Sequence, residues 1–419
     1  MKMVFANATI NDIGSKYHGK KCAVEVEAGI ITEISKSLDG HKVVDLEGQI
    51  LTPSLFDLFS HYNEPGTEYR EDLASGCRTA AFGGFSDVCV IPNTSPVIES
   101  KSSVKFVKSR STNGVNLHVI AALSEQCNGE NITEILDLNE AGALAFSDGL
   151  KPVWNTELLL KALQYVSKFS GLIINRAKDI HLSQYAQMHE GVTSTMLGLK
   201  GEPSISEELS IKRDLDVLRY AGGRLHFTHL STANGVSLIR SAKKEGLQVT
   251  CDVALPQLLF NDSHVEEYDC NYKVDPPLRG EKDRKALIRG LKDGTIDAIV
   301  SSHQPLDPES KELEFDLASC GMNLQPIVFG ALLSLEPELP LEVSLNKFGA
   351  GARSIVRMEH RTIEVGNAAQ FAIFDPKRRW TLNNATNPSK SRNSPFFNKE
   401  IQGFCSGIFD GKKLHRNEI

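Results

Sequence analysis

The sequence lacks several features that would assign it to a functional class at once. Its eight cysteines occur singly, without a CxxC pair, so a Cys-rich zinc site or a disulfide scaffold is not expected. No basic block rises above the scattered charges, and a net charge of −7 argues against nucleic-acid binding. No apolar run approaches the roughly 18 residues that a membrane span needs, and the first ten residues are too polar for a signal peptide. We therefore expect a cytoplasmic protein without nucleic-acid or membrane partners.

The composition is that of an ordinary globular protein. The chain has 419 residues, of which 41% are hydrophobic and 24% are charged. This length exceeds that of one small domain and suits a large barrel with an appended domain.

The two ends of the chain have sequence patterns that are typical of short β-strands. Residues 1–50 contain four apolar or alternating segments separated by turn signals, one of them at Asp39-Gly40. Apolar, strand-like segments return after residue 355, at 362–365, 369–374 and 408–409. Because the termini of a domain often lie close together, residues 1–50 and 356–419 are predicted to form one small β-sheet domain.

Residues 51–355 alternate between apolar strands and helical patterns. The predicted strands are 55–59, 86–91, 116–121, 143–146, 172–174, 224–227, 247–253 and 296–300. Helical periodicity separates several of them, and most are followed by polar residues. This pattern predicts the α/β class and a (β/α)8 TIM-like barrel, whose chemistry lies at the carboxyl ends of the strands.

The segment 56–66, FDLFSHYNEPG, resembles the dihydroorotase signature DxHxHxREPG. Similar matches to that family occur at 83–85, 91–94, 145–149, 225–232, 275–279 and 293–297. The resemblance runs nearly from end to end, so the chain is identified as a member of the dihydroorotase family of the amidohydrolase superfamily. It implies a metal-dependent (β/α)8 barrel with a small sheet from both termini, in agreement with the pattern above.

The resemblance also implies which residues held the metal. The family uses two histidines on the first strand, a carboxylate or carboxylated lysine, two single histidines and a late aspartate that is also the general base. The positions that keep a ligand are His61, Asp148 and His229. The replaced positions are Phe59, Arg176 and Ser302, and Ser302 stands at the expected base position. We therefore expect no intact catalytic residue and no bound cofactor; the alternative is zinc on the three remaining ligands.

The substrate-binding positions of the family are also changed. Asn63 replaces the arginine that would hold the substrate carboxylate, Asp275 replaces an asparagine, and Leu306 replaces a histidine. Only Asn93 is kept. A carboxylate at position 275 is expected to repel an anionic substrate.

Arg176 suggests how the barrel tolerates the loss of the metal. A buried carboxylate such as Asp148 is costly without a compensating charge. A guanidinium at position 176 would supply that charge. We expect Arg176 to pair with Asp148 in the space of the metal. We also expect His61 and His229 to be hydrogen-bonded structural residues, and His303 to be a structural residue and not a replacement base.

Two functions remain open from the sequence. The resemblance implies a catalytically inactive dihydroorotase-like protein of de novo pyrimidine biosynthesis, which acts as a structural partner of aspartate transcarbamoylase. It also favours a homo-oligomer. The alternative is a divergent active dihydroorotase, or a related cyclic-amide hydrolase, with a reduced metal site. Asp148, in place of a lysine that could be carboxylated, favours the dihydroorotase branch over the hydantoinases.

Overall fold

The computed structural model describes residues 2–39 and 42–419, and the turn predicted at Asp39-Gly40 lies partly outside them. The strands are, in chain order, β1 (Lys2–Ile10), β2 (Lys21–Glu27), β3 (Ile30–Ser35), β4 (Val43–Asp45), β5 (Ile50–Pro53), β6 (Leu55–Ser60), β7 (Phe85–Val90), β8 (Asn116–Ala121), β9 (Ala145–Phe146), β10 (Ile173–Arg176), β11 (Met188–His189), β12 (Gly201–Glu202), β13 (Leu225–Thr228), β14 (Val249–Ala254), β15 (Ala298–Val300), β16 (Phe371–Thr381), β17 (Glu400–Phe409) and β18 (Leu414–Arg416).

The helices lie mainly between the strands of the central part. They are α1 (Leu73–Gly83), α2 (Lys101–Ser109), α3 (Ile135–Glu140), α4 (Thr156–Val166), α5 (Val192–Leu197), α6 (Ile205–Ala221), α7 (Ala233–Lys244), α8 (Leu255–Leu259), α9 (Glu281–Lys292), α10 (Pro308–Lys311), α11 (Val328–Ser334), α12 (Leu341–Asn346) and α13 (Ala352–Ile355). Within the described ranges, no helix combines the length and apolar character needed to cross a membrane.

Eight parallel strands form the barrel. Their order is β6-β7-β8-β9-β10-β13-β14-β15, and a bridge between Ser60 and His303 joins the last strand to the first. All eight predicted strands are present, so the TIM-like barrel is confirmed. The shortest predicted strand, 172–174, is β10 and extends to Arg176. That extension puts the Arg176 side chain on the barrel strand itself.

The barrel strands are apolar because both of their faces are covered. All six residues of β6 are buried, and so are all six of β7. One core fills the inside of the barrel and includes Phe56, Phe59 and Ile174. A second, larger core lies between the strands and the outer helices. Continuous apolar runs are typical of parallel strands enclosed in this way.

The two ends of the chain build a separate sheet. Its order is β18-β17-β16-β5-β1-β2-β3, and β4 pairs with β1. Strands from both ends therefore lie in one sheet, as predicted from the sequence. The predicted strand at 362–365 is wrong, because these residues form bends and a turn. The sheet has its own core around Phe5 and Phe371. The division of domains at residues 50 and 355 stays a prediction, and β5 crosses the first of these positions.

A buried ion cluster links the barrel strand β7 to α13 and to the segment after it. Asp87, on β7, accepts from Arg353 Nη2 at 2.9 Å and from Arg361 Nη1 at 2.5 Å. Its second oxygen lies 2.9 Å from His118 Nε2. Burial alone would raise the pKa of Asp87, but His118 and the two guanidinium groups hold it well below its usual range. Asp87 is therefore ionised and compensates two arginines.

Candidate functional site

Four of the predicted site residues meet at the carboxyl ends of the barrel strands. Phe59 lies on β6, Arg176 ends β10, and His229 and Ser302 follow β13 and β15. The rings of Phe59 and His229 are edge to face, with centroids 4.3 Å apart. Arg176 Cζ lies 5.6 Å from the centroid of the Phe59 ring. His229 Nε2 lies 2.9 Å from Ser302 Oγ. The prediction that these positions converge is thus supported by direct contacts.

Arg176 pairs with a different carboxylate from the one predicted. Its Nη1 donates to Asp275 Oδ2 at 3.1 Å, and Lys178 Nζ donates to Asp275 Oδ1 at 2.8 Å. Asp148 instead accepts from Ser124, at 2.8 Å from the backbone N–H and 2.5 Å from the hydroxyl. The predicted Arg176–Asp148 pair is therefore wrong: the carboxylate of Asp148 is satisfied by the neighbouring strand end, and Arg176 extends across to Asp275.

Asp275 is a partner of two cations rather than an isolated negative charge. Burial would raise its pKa, but Lys178 and Arg176 outweigh burial and lower it. Lys178 also pairs with Glu202 at 2.8 Å, and Glu202 pairs with Arg279 at 2.8 Å. Alternating positive and negative side chains therefore connect Arg176 to the loop that carries β12.

Asp252 organises the surroundings of His229. It accepts from the His229 backbone N–H at 2.7 Å and from Thr228 Oγ1 at 2.9 Å, and it lies 2.9 Å from His226 Nε2. Thr228 Oγ1 lies 2.7 Å from His229 Nδ1. Burial, followed by the charge of Arg176, lowers the pKa of His229 to about 3. His229 is therefore a neutral, fully buried ring with partners on both nitrogens.

The other predicted site positions, two of them retained and two replaced, lie in contacts between loops. His61 Nε2 lies 2.7 Å from Asn93 O, and the Asn93 amide donates to Asp148 O at 2.9 Å. Asn63 Nδ2 donates to Pro305 O at 3.3 Å. Leu306 is buried. The side chains of His61, Asn63 and Asn93 therefore already have hydrogen-bond partners within the protein.

The backbone at the strand ends keeps an uncommon geometry. Asn63, His229 and Ser302 have φ values of 60°, 60° and 54°. Non-glycine residues seldom adopt this left-handed region, and such positions concentrate at functional sites. The main chain at these strand ends therefore has a geometry that is typical of functional sites.

The donor set does not fit a metal ion. Among residues 2–39 and 42–419, no group of three or more His, Cys, Asp or Glu side chains is arranged to hold one. Phe59 has no donor atom, and a guanidinium has no lone pair to offer. His61, Asp148 and His229, predicted as remnant ligands, each bond to a different protein group. Zinc needs His, Cys or carboxylate ligands around one point, and the described residues do not provide that.

Sequence reasoning missed several residues that the site depends on. Asp252 lies inside the apolar strand β14, Lys178 lies two residues after Arg176, and Glu202 lies on β12. A carboxylate within an otherwise apolar strand was a signal for Asp252, because a buried charge needs partners. No comparable signal marks Lys178 or Glu202.

Glu71 and His303 form a buried polar pair next to the end of β15. His303 Nε2 lies 3.9 Å from Glu71 Oε2, and the rings of Tyr62 and His303 are in edge contact. Within the described residues, neither His303 nitrogen has a hydrogen-bond partner, and neither does Glu71 Oε1. Burial raises the pKa of Glu71 to about 7, although Ser389 donates to it. The folded protein therefore favours the protonated carboxyl.

This shift predicts a pH-dependent difference between the protein and its Glu71→Gln variant. A raised pKa stabilises the fold fully below about pH 4.5, and that contribution is lost as pH rises through about 7. The glutamine side chain of the variant is neutral throughout. Urea unfolding should give similar stabilities at pH 4 and a variant that is more stable by about 3 kcal/mol at pH 8. The exposed Glu400→Gln change is the control. A difference that does not vary with pH would contradict the assignment.

Comparison with solved structures defines the class of the fold. L-Hydantoinase (dihydropyrimidinase) from Arthrobacter aurescens superposes with a TM-score of 0.87 at 20% identity, over 100% of this chain and 97% of that chain. Dihydropyrimidinase from Brevibacillus agri gives 0.82 at 19% identity, over 100% and 95%. The barrel with its two-ended sheet is therefore an amidohydrolase-type fold.

Sequence comparison narrows the class to one family. The "Dihydro-orotase-like" family model matches residues 48–235. The dihydroorotase of Ruminiclostridium cellulolyticum is 39% identical over 403 residues, which are 94% of each chain. That of Citrifermentans bemidjiense is 37% identical over 387 residues, 91% of each. The chain belongs to the dihydroorotase family.

Proposed function

We propose that this protein is a non-catalytic member of the dihydroorotase family that serves pyrimidine biosynthesis as a structural partner of aspartate transcarbamoylase. The observation that carries the first half is the Arg176 guanidinium, bonded to Asp275 and lying over Phe59 where the family holds its metal. The second half is supported by the persistence of the complete barrel around the altered site, since a partner needs the fold and not the pocket.

The chemistry of the site supports the absence of ring opening. Hydrolysis of a cyclic amide needs an activated water, a polarised carbonyl and a base. Ser302, at the position of the family's base, is bonded to His229, and His229 has a strongly lowered pKa. Arg176 and Lys178 are held by Asp275. Arg176, Lys178, His229 and Ser302 are therefore all engaged with other protein groups.

An activity assay tests the catalytic half of the proposal. The purified protein, supplied with zinc or manganese, is expected to open dihydroorotate no faster than buffer with the same metal. His229→Gln should give the same background rate. A metal-dependent rate that disappears in His229→Gln would instead support a divergent cyclic-amide hydrolase with a reduced metal site.

Assembly with aspartate transcarbamoylase tests the structural half. Sedimentation of this protein mixed with the aspartate transcarbamoylase of the same organism is expected to show a joint species larger than either alone. The protein alone should sediment as a homo-oligomer. Independent sedimentation of the two proteins at micromolar concentration would contradict the partnership while leaving the catalytic half unaffected.

A further inference from the structure

The opposite end of the barrel contains a cavity with two arginines and no acid. It has a volume of about 240 Å³ and lies at the amino-terminal ends of β10, β13 and β14. Arg224 and Arg357 line it, together with polar groups of Gln248, Thr250 and Ser354. None of its lining residues is an aspartate or a glutamate. The cavity is therefore positively charged in a chain whose net charge is −7.

Arg224 has only neutral partners. It is half-buried, its Nη1 donates to Ser170 O at 3.1 Å, and its Nη2 donates to Ile355 O. Arg357 is exposed, and its guanidinium forms no hydrogen bond or ion pair with the residues that the structure describes. Burial, followed by the charge of Arg357, lowers the pKa of Arg224. The two arginines line the same cavity, and hydrogen-bond donors of both remain available.

The fully buried arginines elsewhere in the protein differ from Arg224 and Arg357 because they are paired with carboxylates. In the described part of the chain, the fully buried arginines are Arg176, Arg279 and Arg353. Each pairs with a carboxylate, namely Asp275, Glu202 and Asp87 respectively. The cavity that holds Arg224 and Arg357 has two guanidinium groups without such compensation.

We propose that this cavity binds a small phosphate-bearing anion between Arg224 and Arg357. Guanidinium groups match phosphate oxygens with paired hydrogen bonds, and these charge-assisted bonds are stronger than neutral ones. A phosphate monoester carries nearly two negative charges at neutral pH, which matches two arginines better than one carboxylate does. The inference concerns the end of the barrel opposite the altered metal site and does not rest on the proposed function.

Calorimetric titration of the full chain with inorganic phosphate tests the proposal. Chloride keeps the ionic strength constant, because a site of two arginines is sensitive to screening. We expect saturable binding of one phosphate per chain. Arg357→Gln removes one cation from an exposed position and should weaken phosphate binding at least tenfold. Arg224→Lys keeps the charge but loses the paired donors, and it should weaken binding less.

The control is Arg289→Gln, which removes the same charge from an exposed position on α9. Its phosphate affinity should stay within twofold of the wild type. Melting curves establish that each variant is folded. The proposal is overturned if the wild type shows no saturable phosphate binding, if Arg357→Gln binds as tightly as the wild type, or if succinate binds as tightly as phosphate.

Discussion

Asp87→Asn is expected to lower the free energy of unfolding by about 3–5 kcal/mol. The carboxylate of Asp87 is buried and bonds to Arg353, Arg361 and His118. When the charge of Asp87 is removed, Arg353 remains a fully buried cation. One of its guanidinium nitrogens already lacks a hydrogen-bond partner within the described residues. Breaking one side of a buried pair costs this much because the other charge stays in the protein interior.

Urea unfolding at pH 7 measures this effect. Glu400→Gln is the matched control, because Glu400 and Arg379 form an exposed pair that should contribute less than about 1 kcal/mol. The lowered pKa of Asp87 also predicts how the stability difference between Asp87→Asn and the wild type depends on pH. Its contribution is present above the unfolded pKa of about 4, so the difference between Asp87→Asn and the wild type should be constant from pH 5 to 8 and shrink in stronger acid. A loss below about 1 kcal/mol at pH 7 would rule out this role.

Arg176→Met is expected to destabilise the protein by about 3 kcal/mol. The variant keeps the apolar stem but removes the guanidinium, so Asp275 depends on Lys178 alone. It also removes the contact between Arg176 and the face of Phe59. The estimate lies at the lower end for a buried pair because Lys178 still compensates Asp275.

A double variant separates the loss of the pair from the loss of packing. Arg176→Met with Asp275→Leu removes both charges and should recover part of the stability lost in Arg176→Met. The control is Arg219→Met, whose pairs with Asp216 and Glu245 are exposed. If the double variant is no more stable than Arg176→Met, the destabilisation arises from packing and the ion pair is not its cause.

Much of the fold followed from the sequence, for identifiable reasons. The barrel strands are apolar on both faces, so short apolar runs such as 116–121 differ clearly from the neighbouring segments with helical periodicity. Because parallel strands end at one edge, the convergence of Phe59, Arg176 and His229 was predictable without coordinates.

The partners of these residues were less predictable. Arg176 was expected at Asp148, but which carboxylate a long side chain meets depends on the directions of several side chains at once. Asp148 is satisfied locally by Ser124, and Asp275 is delivered by a loop distant in sequence. Asp252 was missed because its strand reads as ordinary apolar core.

Zinc stoichiometry tests the central claim, that Phe59 and Arg176 take the place of the metal, most directly. The protein, purified without chelator and then equilibrated with zinc and desalted, is measured by elemental analysis beside His229→Gln. We predict no zinc that distinguishes the two proteins, since any zinc on exposed thiols or histidines remains in both. One or two zinc ions per chain in the wild type, absent from His229→Gln, would contradict the account.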